Sequence, residues 1–185
     1  MNLMNIPVID SKMTFTEAIA GTKAPREVIA SLCLIEVRYR AFDGHVHLGQ
    51  LVVHKGIEKD IIEIFELIET LKFPVARVVP IVKYEWSDDI SMAANNTSAF
   101  NYRHVLGTER LSHHAYGRAV DINPYLNPVL YGNGRIAPPG AVYNPERPGT
   151  LSATHSIVKE FSTRGWRWGG NFRSLTDYHH FDKPT

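Results

Sequence analysis

The feature that most constrains this chain is a switch of hydrophobic period between residues 35 and 71. Ile35, Val37 and Tyr39 alternate with Glu36, Arg38 and Arg40, a period of two that predicts a half-buried strand. Asp43-Gly44 supplies a tight turn, and Val46 to Val53 predicts the returning strand. From Ile57 the period lengthens. Ile57, Ile61, Ile64, Phe65, Ile68 and Leu71 fall on one helical stripe, with Glu58, Lys59, Glu66 and Glu69 facing away.

Pro74 closes the helix, and Ala76 to Tyr84 predicts a further strand in which Pro80 marks an edge position or a bulge. Residues 85–110 and 123–150 lose periodicity, and long irregular stretches of this kind usually carry function. A short helix is expected over Ser152–Thr163, with Ile157, Val158 and Phe161 inward and Gly165 as its stop. Residues 1–30 are weakly patterned, with short helices expected around Thr14–Ala20 and Pro25–Ser31. The order strand, strand, helix, strand, then loops and short strands gives the α+β class: a small antiparallel sheet with flanking helices. At 185 residues the chain fits one domain over 1–185.

Composition excludes more than it identifies. The net charge is +1, from 20 basic and 19 acidic residues, so the basic excess of a nucleic-acid binder is missing. No apolar stretch approaches the roughly 20 residues that span a bilayer. Met1 to Thr16 carries Asp10 and Lys12 and lacks the apolar block of a secretory signal. The expectation is a periplasmic or extracellular protein if a leader has been removed, and a cytoplasmic one otherwise. Cys33, the single cysteine, sits in the apolar run Leu32-Cys33-Leu34-Ile35 and is expected to be a small buried hydrophobe.

The nine histidines hold the chemistry through their placement. Two histidine pairs stand beside carboxylates: His113-His114 ahead of Asp121, and His179-His180 just after Asp177. Catalytic zinc takes three protein ligands and keeps a fourth position for water, and a carboxylate off the metal can serve as base. These two stretches supply all four groups. The spacing from Asp177 to His180 would put them on opposite faces of a flat strand, so a turn is implied between them. His113 and His179 each adjoin a candidate ligand, and a one-residue slip would exchange the roles. His45, His47, His54, His104 and His155 are expected to be surface or hydrogen-bonded residues.

Ser112, His114, Gly117, Ala119 and Asp121 resemble the S-x-H-x-x-G-x-A-x-D motif of the zinc D-alanyl-D-alanine carboxypeptidase family. That family also includes D-Ala-D-Ala dipeptidases and phage L-alanyl-D-glutamate endolysins. Asp177, His180 and Phe181 resemble its second motif, acidic-x-x-His-aromatic, and Trp168-Gly169-Gly170-Asn171-Phe172 resembles the lead-in of the endolysin-like branch. The resemblance covers about residues 95–182 and implies a Hedgehog/DD-peptidase-like fold with one Zn2+ per chain in a groove across the sheet. It settles the register by implying His114, Asp121 and His180 as ligands, with Asp177 as general base. Many members carry Glu at that last position, and the shorter Asp resembles the endolysin-like branch. The resemblance also implies an arginine that binds the substrate carbonyl or steadies the transition state, for which Arg103 is the first candidate and Arg110 the second. Ser112 is expected to shape the site through hydrogen bonds. The implied partner is a peptidoglycan stem peptide or precursor, and the implied activity a D,D-carboxypeptidase. The alternatives are an L-alanyl-D-glutamate endopeptidase and a non-catalytic zinc-containing module, the latter disfavoured by the spare carboxylate of Asp177.

Overall fold

The structure, a computed structural model, describes residues 6–184. Residues 1–5, which begin both the Met1–Thr16 stretch and the weakly patterned segment 1–30, lie outside the described residues, as does residue 185. In chain order the elements are β1 (Val8–Ile9), α1 (Phe15–Ala18), α2 (Arg26–Ala30), β2 (Leu32–Arg40), β3 (Val46–His54), α3 (Glu58–Thr70), β4 (Arg77–Val78), α4 (Asp88–Ala93), β5 (Asn96–Thr97) and β6 (Ala119–Asp121). There follow β7 (Val129–Tyr131), β8 (Ile136–Ala137), α5 (Ser156–Thr163), β9 (Arg167–Trp168), β10 (Leu175–Asp177) and β11 (His180–Asp182).

The expected hairpin forms, with β2 and β3 antiparallel from Leu32 opposite His54 to Arg40 opposite Val46. Ile35, Val37 and Tyr39 are buried while Glu36 and Arg38 face solvent, because α3 lies on that face. Its stripe of Ile61, Ile64, Phe65 and Ile68 is buried against them. Leu71 departs from expectation and is exposed. It caps the helix, and Lys72 beyond it takes a left-handed φ of 53°, so the chain leaves the helical path before the stripe can continue. Helix α5 completes the layer, with Phe161 stacked on Phe181 at 3.9 Å between ring centroids.

Several small sheets replace the expected single antiparallel one. Strands β1, β3 and β2 form one, with β1 parallel to β3. Strands β10, β7 and β8 form a second, β6, β11 and β9 a third, and β4 with β5 a short parallel pair. The architecture is mixed, with small sheets and few helices, consistent with α+β. The strand expected over Ala76–Tyr84 shrinks to β4. Pro80 has no N–H for a ladder and instead opens a 3-10 turn at Ile81–Tyr84, closed by left-handed Glu85. Buried Val78, Val79 and Ile81 mimic a strand in the sequence without being one. The final helix begins at Ser156 rather than Ser152, because His155 caps it by accepting from Ile157 N–H at 3.2 Å.

Cys33 is half-buried in β2 and packs against the core. Burial, reinforced by neighbouring Glu58, pushes its thiol up to about 11, so the thiolate is scarce at neutral pH.

Candidate metal centre

Three side chains from separate elements converge. Ser112 opens a 3-10 turn over His113–Tyr116, its hydroxyl accepting from His114 N–H at 3.3 Å. The turn ends at Gly117 in the left-handed region, φ 63°. A Cβ there would stand 2.6 Å from Leu32 and 2.8 Å from the His54 nitrogen, so only glycine brings this turn against β3. Two residues on, β6 carries Asp121, and β11 pairs with it so that His180 lies directly opposite. The link between β10 and β11 is the turn Tyr178-His179. Since β10 and β11 belong to different sheets, the turn lets Asp177 and His180 address one site.

The resulting cluster is tight. His180 Nδ1 lies 2.9 Å from Asp121 Oδ1 and 3.1 Å from His114 Nε2, which is itself 3.2 Å from Asp121 Oδ1. Ligands set tetrahedrally about 2.0–2.1 Å from zinc stand about 3.3 Å apart, so the three atoms already hold the spacing of a zinc cage. Their hydrogens are arranged for it too. His114 Nδ1 donates to the Ala99 carbonyl at 2.5 Å, so Nε2 is the nitrogen turned to the centre. His180 Nε2 faces Asp182 Oδ2 at 3.4 Å, leaving Nδ1 for the centre. Fit of the donor set to zinc therefore rests on geometry and tautomer together.

The electrostatics favour positive charge at the same point. Burial opposes charge on His180, yet hydrogen bonds to Asp121 and Asp182 overcome it and lift the imidazole to about 10. Burial likewise pushes Asp121 up, but the charges of His114 and His179 and hydrogen bonds from His114 and His180 hold it well below the usual carboxylate range. The carboxylate oxygens that favour a proton at this point also suit a cation there.

Asp177 stands beside the cage but outside it. His179 Nε2 approaches its Oδ1 to 3.1 Å, off the line of a hydrogen bond, and that buried oxygen has no hydrogen-bond partner among the described residues. His179 is itself buried, its Nδ1 donating to the Asn127 carbonyl at 2.7 Å. His113 points elsewhere, its Nε2 3.3 Å from Arg167 Nη2. Neither of the adjoining histidines joins the three-atom cage.

Two open clefts flank the centre, of about 420 and 410 Å3. Both are lined by Arg103, Leu175, Asp177 and His180. Residues from the irregular stretches 85–110 and 123–150 line the second. Arg103 is in place, but its guanidinium pairs with Asp88 at 2.7 Å. Arg110 lines the first cleft only. Tyr131 lines the second cleft. Trp168 is buried and donates to the Tyr178 carbonyl, and Tyr143 stacks on Tyr178.

One residue beside the cage escaped sequence reading. Asp182 is buried, receives Arg167 through two hydrogen bonds of 2.7 Å, and faces His180. Its signal was the period of two, which puts His180 and Asp182 on one face of a strand. Gly169, in the Trp-Gly-Gly segment, packs under the site: a Cβ there would lie 2.5 Å from the Asp177 carbonyl oxygen and 3.2 Å from the His180 Cβ.

A family model described as D-alanyl-D-alanine carboxypeptidase matches residues 106–183. The matched segment holds all three cage residues and Asp177, and it bears out the resemblance carried by the two motifs. No curated protein and no solved structure matches the chain in the corresponding comparisons. Among the described residues, no helix is long and apolar enough to cross a membrane.

Proposed function

We propose that this protein is a zinc-dependent peptidase that hydrolyses peptide bonds in peptidoglycan stem peptides, acting as a D-alanyl-D-alanine carboxypeptidase. The observation that carries this reading is the cage itself: two histidines, each oriented by a hydrogen bond through its outer nitrogen, and one aspartate, with a carboxylate oxygen of Asp177 that makes no hydrogen bond beside them. The whole chain is taken as one domain of the Hedgehog/DD-peptidase-like type. Its working place is taken as periplasmic or extracellular, because that is where the substrate lies.

His114, Asp121 and His180 would hold the metal, which when bound supplies a Lewis acid that polarises the scissile carbonyl and acidifies water. Asp177 takes the proton of the attacking water and delivers it to the leaving amine. Its Oδ1, near His179 but in no hydrogen bond, suits that task, since a base already tied into a hydrogen bond would have to break it first. Arg103 borders both clefts, so a peptide lying across the centre passes its guanidinium, which can share itself between Asp88 and the developing oxyanion.

A stem pentapeptide ending in D-Ala-D-Ala should release D-alanine, detected by mass spectrometry, and Asp177→Ala should lower the rate by at least a hundredfold. Unchanged turnover in that variant would remove Asp177 from the mechanism. Openness on both sides of the centre favours one second reading, an L-alanyl-D-glutamate endopeptidase. Cleavage inside the stem, with the terminal D-Ala-D-Ala left intact, would establish it.

A further inference from the structure

The two clefts differ in charge. The first is lined by Arg103, Arg110, Arg167 and Arg173 against Asp177 and Asp182, the second by Asp88, Asp89, Asp121 and Asp177 against Arg103 and Arg135. Two of the first cleft's four arginines are spoken for. Arg167 is held by Asp182 in a two-pronged bond, and Arg103 by Asp88. Arg110 and Arg173 are exposed, and among the described residues neither side chain makes a hydrogen bond or ion pair.

Both reach the same cleft from different loops. Arg110 is set by a short loop whose ends are tied by Val105 N–H donating to the Arg110 carbonyl at 2.8 Å. Arg173 stands between the Gly169–Asn171 turn and β10, four residues before Asp177. Two uncommitted guanidiniums lining the cleft that Asp177 also lines suit a planar anion, because each fork matches a carboxylate in two-pronged fashion.

We propose that Arg110 and Arg173 clamp a free carboxylate on the residue that leaves, so that charge rather than a closed wall restricts this groove to chain ends. The inference rests on the peptidase reading and deepens it. A peptide across the centre lies with its carboxyl end in the arginine-lined cleft and the rest of the chain towards Asp88 and Asp89. An internal peptide bond has no carboxylate at that place and gains nothing from the clamp.

The test compares a stem pentapeptide ending in D-Ala-D-Ala with the same peptide amidated at its C-terminus. Charge-assisted hydrogen bonds of this kind give the free acid an advantage of roughly tenfold to a hundredfold in kcat/KM. In the Arg110→Ala/Arg173→Ala double variant the ratio should fall close to one, while Arg147→Ala, on a distant surface, should keep the wild-type ratio. Equal rates on acid and amide in the wild type, or full discrimination in the double variant, would overturn the clamp. If neither peptide is cut, the peptidase reading fails separately, and binding of N-acetyl-D-alanine against its amide, followed by NMR, still decides. Preference for the acid that disappears in the double variant supports the clamp, and equal binding overturns it.

Discussion

Asp182 ligates nothing in the cage, yet removing it should loosen the metal. Its carboxylate faces His180 Nε2 at 3.4 Å and is fixed from the other side by Arg167 through two 2.7 Å bonds. The contact keeps the imidazole in the tautomer whose Nδ1 points into the cage, and its negative charge makes that nitrogen a better donor. Partners of this kind typically contribute 10–100-fold in metal affinity, about 1.4–2.7 kcal/mol at 25 °C. Asp182→Asn keeps an acceptor oxygen for Nε2–H but loses the charge, which places it near the tenfold end. Asp182→Ala loses both and strands the Arg167 guanidinium, which places it near the hundredfold end. Zinc affinity measured by competition with a chromophoric chelator reads both. Dissociation constants within twofold of wild type for both variants would refute the orienting role, whatever the variants did to stability.

Further expectations follow from other contacts. Gly169→Ala must move Asp177 or His180, since its Cβ would stand 2.5 Å from the Asp177 carbonyl oxygen; a loss of about a hundredfold in turnover is expected from such a misplacement, with zinc content retained. Phe161→Ala, at a fully buried ring stacked on Phe181, should cost about 3–5 kcal/mol in urea unfolding, and a cost below 1 kcal/mol would show that the α5 layer is not part of the core. At the opposite edge, burial opposes charge on His47, but its hydrogen bonds to Asp10 and Asp43 raise its pKa above the ordinary value. A raised pKa means stabilisation that is complete below about 6.5 and is lost as pH climbs through the folded value. Exchange of the Asp10 amide, bonded to the Leu48 carbonyl, should therefore speed up above that range beyond its intrinsic rate. A His47→Gln protein should not show the change.

The hairpin and α3 were legible because each buries one face, and a single buried face writes its period into the residues. Ile35, Val37, Tyr39 and the stripe from Ile61 to Ile68 are that record. Residues 76–84 were misleading because β4 and the turn after it are buried irregularly, so apolar content carried no period. The candidate site was legible for a different reason: two short segments with set spacing carried the histidines and carboxylates, and the resemblance picked out His114, Asp121 and His180 with Asp177 beside them. Arg103 was a candidate from the resemblance, but its pairing with Asp88 joins residues 15 positions apart, from the first residue of α4 to a loop beyond β5, where no periodic rule applies. Asp182 could have been found by extending strand alternation two residues past His180. The use of several small sheets was not legible, since strands of two or three residues leave too few positions for a pattern.

Zinc content of the purified protein, by mass spectrometry of the metal, tests the central claim most directly. About one zinc per chain is expected from the three-ligand cage, kept in Asp177→Ala and lost in His114→Ala. A wild-type protein that neither carries zinc nor takes it up on addition, or a His114→Ala protein that binds it as tightly as wild type, would contradict the cage at His114, Asp121 and His180.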